Sequence, residues 1–184
     1  MSEAVVQGRE QWLLAGQSLL RRGGRPAIKL HALATEAGLT TGSFYHHFAG
    51  MHPFLGELAH FYGADQVRTR IASMAADPAR ERLRKLGAMA SSLKMVPLDA
   101  AMRDWAGSDE RAADAVRSAD AELLVFIAAA FEELGHDQRS ARLRARMLVS
   151  YSVARVMTPW GALAADIDEV LAILDPREGS EPSA

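Results

Sequence analysis

The stretch from Lys29 to Leu55, KLHALATEAGLTTGSFYHHFAGMHPFL, constrains the fold more tightly than any other part of the chain. Leu30, Leu33, Ala34 and Ala37 recur at helical spacing and make one apolar stripe, which Gly38 ends, since a left-handed backbone costs glycine nothing. Leu39 plugs the turn. Thr40 is placed to accept the free amides of a following helix as its N-cap. In that helix Phe44 and Phe48 fall four apart on one face, leaving Thr41, Ser43, Tyr45, His46 and His47 for solvent or a partner. The pattern is a helix-turn-helix whose second helix is short, anchored inward by aromatics and polar outward.

The residues GLTTGSFYHHF closely resemble the DNA-reading turn of the TetR (tetracycline-repressor-like) family of bacterial transcriptional regulators. The resemblance covers residues 9 to 55: Arg9 and the apolar run after it, Gly23 at the end of the first helix, Leu33-Ala34, Ala37-Gly38, and Gly42 with Tyr45 and Phe48. MRDWAGSD, Met102 to Asp109, resembles a segment found in one group of such regulators. Beyond that, the likeness lies in helical layout.

Composition agrees with a helical protein. The chain has 184 residues, 49% of them hydrophobic, enough for a packed core. Alanine and leucine are plentiful, β-branched residues are few, and prolines fall at element edges. There is no cysteine, which excludes a disulfide scaffold or a thiolate metal site and fits a reducing cytosol. The longest apolar run, Leu123 to Phe131, is too short to span a bilayer, and the N-terminus lacks a basic start followed by an apolar stretch. A cytoplasmic protein without a membrane partner is expected.

The net charge of -2 is unevenly spread. Residues 1 to 50 carry Arg9, Arg21, Arg22, Arg25 and Lys29 against Glu3, Glu10 and Glu36, an excess of +2 on a chain that is acidic elsewhere. A mildly basic head on an acidic body suits a small DNA-binding domain attached to a larger one with another task.

The pattern predicts an all-α chain of about nine helices: a three-helix head over residues 1-50, a helical ligand-binding and dimerisation domain over 51-175, and a loose tail over 176-184. The first helix runs from Glu3 to Arg22, with Val5, Trp12, Leu13, Gly16, Leu19 and Leu20 on one side and Arg9, Gln17 and Arg21 on the other. Arg25-Pro26 forces an extended step before a second helix starting near Lys29. Ala49-Gly50 breaks the chain, and Pro53 fits the first turn of a long fourth helix reaching Ala76. Asp77-Pro78 caps a fifth, Pro97 opens a sixth, Ser108 or Asp109 caps a seventh that Gly135 ends, and Asp137 caps an eighth running to Met157. Thr158-Pro159 starts the ninth, with Leu163, Ile167, Val170, Leu171 and Leu174 inward.

Leu123 to Phe131 and Met147 to Ala154 are apolar or small nearly all the way round. One chain of this size can hardly cover both, so a two-fold homodimer joined mostly by the eighth and ninth helices is expected, as the resemblance also implies. A single thick core is the alternative.

The candidate contacts with double-stranded DNA are Lys29, Thr40, Thr41, Gly42, Ser43, Tyr45, His46 and His47. Hydroxyls at Thr40 and Thr41 suit a phosphate and a base edge; Gly42 lets the backbone come close; phenol and imidazole one turn on can donate to phosphates or touch a thymine methyl. The resemblance gives these positions the family's DNA contacts. Two positions depart from the family: Ile28-Lys29 stands where a capping threonine is common, and Met51 where a phosphate-binding lysine is common.

Phe61, Tyr62, Met89, Leu93, Met102, Trp105, Phe126, Tyr151 and Trp160 fall on inward faces of the fourth to ninth helices. At helical spacing such residues are usually core; the resemblance makes them candidates for a mostly apolar effector pocket, with Tyr62, Arg103 or Tyr151 as polar groups. The expected function is therefore a homodimeric repressor on a palindromic operator, released by a small, mostly apolar effector. The rival is a helical protein-interaction adaptor with a degenerate head. An enzyme is disfavoured: no cofactor motif, Gly-rich phosphate loop or nucleophile motif is present, and the histidines lack carboxylates at metal spacing, so no metal site is expected.

Overall fold

Helices account for the architecture of the computed structural model, which describes residues 3–90, 95–157 and 167–176. Among these residues there is no strand, and nine helices follow one another: α1 (Glu3–Gly23), α2 (Leu30–Ala37), α3 (Thr41–His47), α4, α5 (Ala79–Ala90), α6 (Met95–Ala106), α7 (Glu110–Glu133), α8 (Gln138–Met157) and α9 (Ile167–Leu174). α4 runs from Met51–His60 through a π-wound stretch, Phe61–Gln66, into Val67–Met74. The expected start of the ninth helix, with Leu163, lies outside the described residues, as does the tail beyond 176.

The chain forms two compact units, one of residues 1–69 with 97–119 and one of 70–96 with 120–184. These do not coincide with a division at residue 50, because α4 and α6 contribute to the same unit as the head.

In the first unit, α1 packs on α2, α3 and α4. Its core is aromatic. Trp12, Phe44 and Phe54 are fully buried and Phe48 nearly so. Trp12 meets Phe44 edge-on at 5.3 Å, and Phe44, Phe48 and Phe54 pack with ring centres 5.0–5.4 Å apart. Each such ring taken out of water contributes about 1.5–3 kcal/mol, so α3, too short to persist alone, is held by its two phenylalanines. Gln11 Nε2 donates to the Ala37 carbonyl at 2.7 Å, and Arg22 pairs with Glu36, which joins α1 to α2. Gln17, expected outward, is buried, because α1 is enclosed on more than one side.

Two local expectations also change. Arg25–Ala27 is a single 3-10 turn rather than an extended step: proline's fixed φ suits a tight turn as well as a strand. α6 begins at Met95, so Pro97 lies inside its first turn instead of opening it.

In the second unit, Leu83 of α5, Ile127 and Phe131 of α7, Ala141, Ala145 and Leu148 of α8, and Leu171 and Leu174 of α9 share one core. The fold closes it with polar groups. His136 Nε2 lies 2.9 Å from Asp175 Oδ1, Arg80 Nη1 donates to Asp175 Oδ2 at 3.2 Å, and Arg144 Nε donates to the Leu174 carbonyl at 2.6 Å. The end of α9 is thus tied to α5, α8 and the turn before α8. Asp137 caps α8 by accepting the Ser140 amide at 3.0 Å, as its position predicts.

Candidate nucleic-acid interface

The recognition turn is built as its residues require. Gly38 ends α2 at φ 64°, and the Leu39 amide reaches back to the Ala34 carbonyl at 3.0 Å, which closes the turn without a side chain. Thr40 stands at the N-cap of α3, where its hydroxyl accepts the Ser43 amide at 3.3 Å. Phe44 and Phe48 then point into the aromatic core, and Gly42, Tyr45 and His46 turn outward.

That outward face carries most of the expected contacts. Lys29, Thr40, Gly42, Tyr45 and His46 are exposed, Tyr45 to 60%, while Thr41 and Ser43 are half-buried. Lys29 stands at the N-cap of α2 in extended conformation with its side chain exposed. The space over Gly42 is open, with only the Thr40 hydroxyl near the position of an added Cβ.

His47 departs from the expectation. Its ring is turned back against Gly8 of α1, where an added Cβ would lie 2.9 Å from Nε2, and its Nδ1 is enclosed without a hydrogen-bond partner. It packs α3 on α1 instead of facing outward. The helical period explains this: His47 follows Phe44 by three residues and so leans toward the anchored face.

The head is braced from α6 and α7. Arg25, in the turn after α1, places its guanidinium carbon 5.9 Å from the centre of the Trp105 ring. Arg111 donates from Nη1 to the His52 carbonyl at 3.0 Å, and from Nε and Nη2 to the two oxygens of Asp109 at 3.0 and 2.6 Å. The Arg111 guanidinium holds the Asp109 carboxyl well below the usual carboxylate range, against the opposing effect of burial. Asp109 also accepts the Arg111 amide at 3.0 Å, which identifies it, of the two candidates, as the cap of α7. Glu36 is likewise held low, first by the Ser18 hydroxyl and then by Arg22.

The effector candidates divide between the units. In the first, Met102 and Trp105 are buried and Phe61 half-buried, and the buried Tyr62 donates its hydroxyl to Asp99, which also accepts Arg103 Nε at 3.0 Å. One carboxylate therefore orients both of the polar groups expected here. In the second, Met89, Phe126 and Tyr151 are half-buried, and Leu93 and Trp160 lie outside the described residues. Sequence reasoning missed Arg82, a buried charge stacked on Phe126. The signal was present: Arg82 falls between Ala79 and Leu86 at three and four residues, within the apolar stripe of α5.

A shallow groove of about 430 Å³ runs between α7 and α8, lined by Leu124, Val125, Ala128, Ala129 and Ala145 with Glu132, Arg142 and Arg146 at its rim. Val125 on α7, Leu143 and Met147 on α8 and Ile173 on α9 are all more than half exposed. The run from Leu123 to Phe131 is thus left partly uncovered by the described residues. Among the described residues no helix is long and apolar enough to cross a membrane, and no group of three or more His, Asp or Glu is placed to hold a metal ion.

No protein-family model matches the sequence, and no curated protein matches it. Solved structures do share its fold. A protein of Streptomyces coelicolor A3(2) described as a transcriptional regulator is 20% identical with a TM-score of 0.67, over 91% of this chain and 98% of the other. A Rhodococcus protein classed with the TetR-family transcriptional regulators is 18% identical with a TM-score of 0.65, over 95% and 98%. The transcriptional regulator FadR from Bacillus subtilis, in complex with stearoyl-CoA, is 16% identical with a TM-score of 0.64, over 90% and 96%.

Proposed function

We propose that this chain, which has the TetR-like fold, is a transcriptional regulator of the TetR family that binds duplex DNA through α3. The observation that carries the reading is the division of α3 into two faces: Phe44 and Phe48 locked into the aromatic core, and Thr40, Gly42, Tyr45 and His46 exposed. Such a helix is rigidly held and offers donors near its N-terminus, which is what major-groove reading needs. Thr40, Thr41, Ser43 and Lys29 supply phosphate and base contacts, Tyr45 and His46 reach the neighbouring backbone or a thymine methyl, and His47 holds the helix on α1. The amide end of α4 and His52 stand in for the lysine that Met51 replaces.

The protein acts as a homodimer through α8 and α9, for which the exposed Leu143, Met147 and Ile173 speak, with Val125 beside them. Two copies of α3 then enter successive major grooves about 34 Å apart on a pseudo-palindromic operator. Occupancy of that operator blocks transcription, which makes the protein a cytoplasmic repressor. A small, mostly apolar effector in the helical body releases it; the stearoyl-CoA held by the Bacillus subtilis neighbour supports such a ligand. By binding better to a state in which α4 is swung, the effector weakens DNA affinity by its differential binding energy, about 1–3 kcal/mol for such couplings.

Selection of bound sites from a random duplex pool tests this reading. Two-fold symmetric sites with half-site centres about 10 base pairs apart are expected, with affinity falling steeply as salt rises. Failure to enrich any site would overturn it.

A further inference from the structure

A helix of seven residues makes few backbone bonds of its own, so α3 points where its two ends are held. Its start is held by the turn from α2, with the Thr40 hydroxyl on the Ser43 amide. Its other end is gripped by two consecutive residues of α1. Gly8 lets the His47 ring come so close that an added Cβ would lie 2.9 Å from Nε2. Arg9, next in the chain, lays its guanidinium over Phe48, with Cζ 5.6 Å from the ring centre.

The same guanidinium is shared with a third helix. Arg9 Nη2 is paired with the Glu57 carboxylate of α4, and the Phe48 ring meets Phe54 of α4 edge-on at 5.0 Å. Phe48 is the C-cap of α3, where the backbone turns extended, and Tyr45 and His46 lie within a turn of it. A contact at that point sets the tilt of the whole short helix. The Arg9 side chain is 45% exposed, so replacing it empties no cavity. The fold therefore survives its loss while the direction of α3 changes.

We propose that Arg9 is a positioning residue for DNA reading. Stacked on Phe48 and held there by Glu57, it fixes the tilt at which α3 presents Tyr45 and His46 to the major groove. It does so without itself touching a base or a phosphate. The inference rests on the reading of α3 as the DNA-binding helix and adds to it a residue on another helix.

Gel-shift titrations on a duplex recovered by site selection test this with native protein, Arg9→Met, Tyr45→Ala/His46→Ala and the triple variant. Arg9→Met should weaken operator binding about five- to tenfold, since a ring stack and an exposed ion pair hold α3 no harder than their own strength. In the Tyr45→Ala/His46→Ala background the same change should cost about twofold or less, because the contacts farthest from the held start of α3 are already gone. The slope of log affinity against log salt should be the same in native protein and Arg9→Met, whereas a lost phosphate contact lowers it by about one. Equal cost in both backgrounds, a slope lowered by about one, or native affinity in Arg9→Met overturns the proposal. Urea unfolding checks that each variant is folded. Should Arg9→Met fail to fold, Arg9→Lys, which keeps a charge for Glu57 but lacks the planar stack, is put through the same cycle on the same criteria. Full operator affinity in Tyr45→Ala/His46→Ala would sink the reading of α3 and this inference with it; reduced affinity there without coupling to Arg9 contradicts this inference alone.

Discussion

Arg111 Nη1 donates to the carbonyl of His52 at 3.0 Å, which ties the first turn of α7 to the first turn of α4 beside the recognition helix. The same guanidinium is clamped by both oxygens of Asp109. Replacing Arg111 by methionine should lower unfolding free energy by about 1–2 kcal/mol, below the full value of charge-assisted bonds because the side chain is a third exposed. Urea unfolding measures this, and hydrogen exchange should quicken at the start of α4.

Asp109 predicts an acid limb. Its folded pKa is depressed by Arg111, so its contribution is complete above the ordinary carboxylate pKa of about 3.9 and is lost as pH falls through the lower folded value. Stability followed below about pH 4 should fall less steeply in Asp109→Asn than in the native protein, and the variant should be less stable at neutral pH.

Thr40→Ala removes the cap on α3 and should cost about 1 kcal/mol, while Thr40→Ser keeps a hydroxyl for the Ser43 amide and should cost little. Chemical denaturation of the two variants separates capping from bulk.

Gly8→Ala drives a methyl against the His47 ring, 2.9 Å from Nε2, and should destabilise the protein. His47→Ala in the same chain should recover most of that loss. A double-mutant cycle in thermal unfolding reads the coupling directly.

Leu143→Glu with Met147→Glu places charges on a face already more than half exposed in the single chain. The variant should sediment as a folded monomer and lose most of its operator affinity. A dimer of native strength would mean that another face joins the copies.

The reading head was legible because its signals are local. Gly38, Thr40 and the Phe44/Phe48 spacing specify the turn within eleven residues, and the cap and the left-handed glycine occur where they were expected. His47 was misread because a helix of seven residues has little room for a purely outward face, and only its approach to Gly8 reveals which way the ring turns. Gln17 was misread for a similar reason: α1 is enclosed by three helices, which one amphipathic stripe does not announce. The bond from Tyr62 to Asp99 joins residues 37 positions apart and leaves no mark in local spacing, although Asp99 and Arg103 stand four apart on α6. Arg82 did leave one, a charge within an apolar stripe, but its partners, the Phe126 ring and the Glu133 carboxylate, appear only once α7 is laid beside α5.

The central claim is that the exposed face of α3 reads DNA, and the Tyr45→Ala/His46→Ala double variant tests it most directly on a duplex recovered by site selection. Both side chains lie outside the core, so stability should stay within about 0.5 kcal/mol of the native protein. Operator affinity in a gel-shift titration at fixed salt should fall by about a hundredfold, as two contacts of about 1–3 kcal/mol are lost. Undiminished affinity in this folded variant would contradict the account.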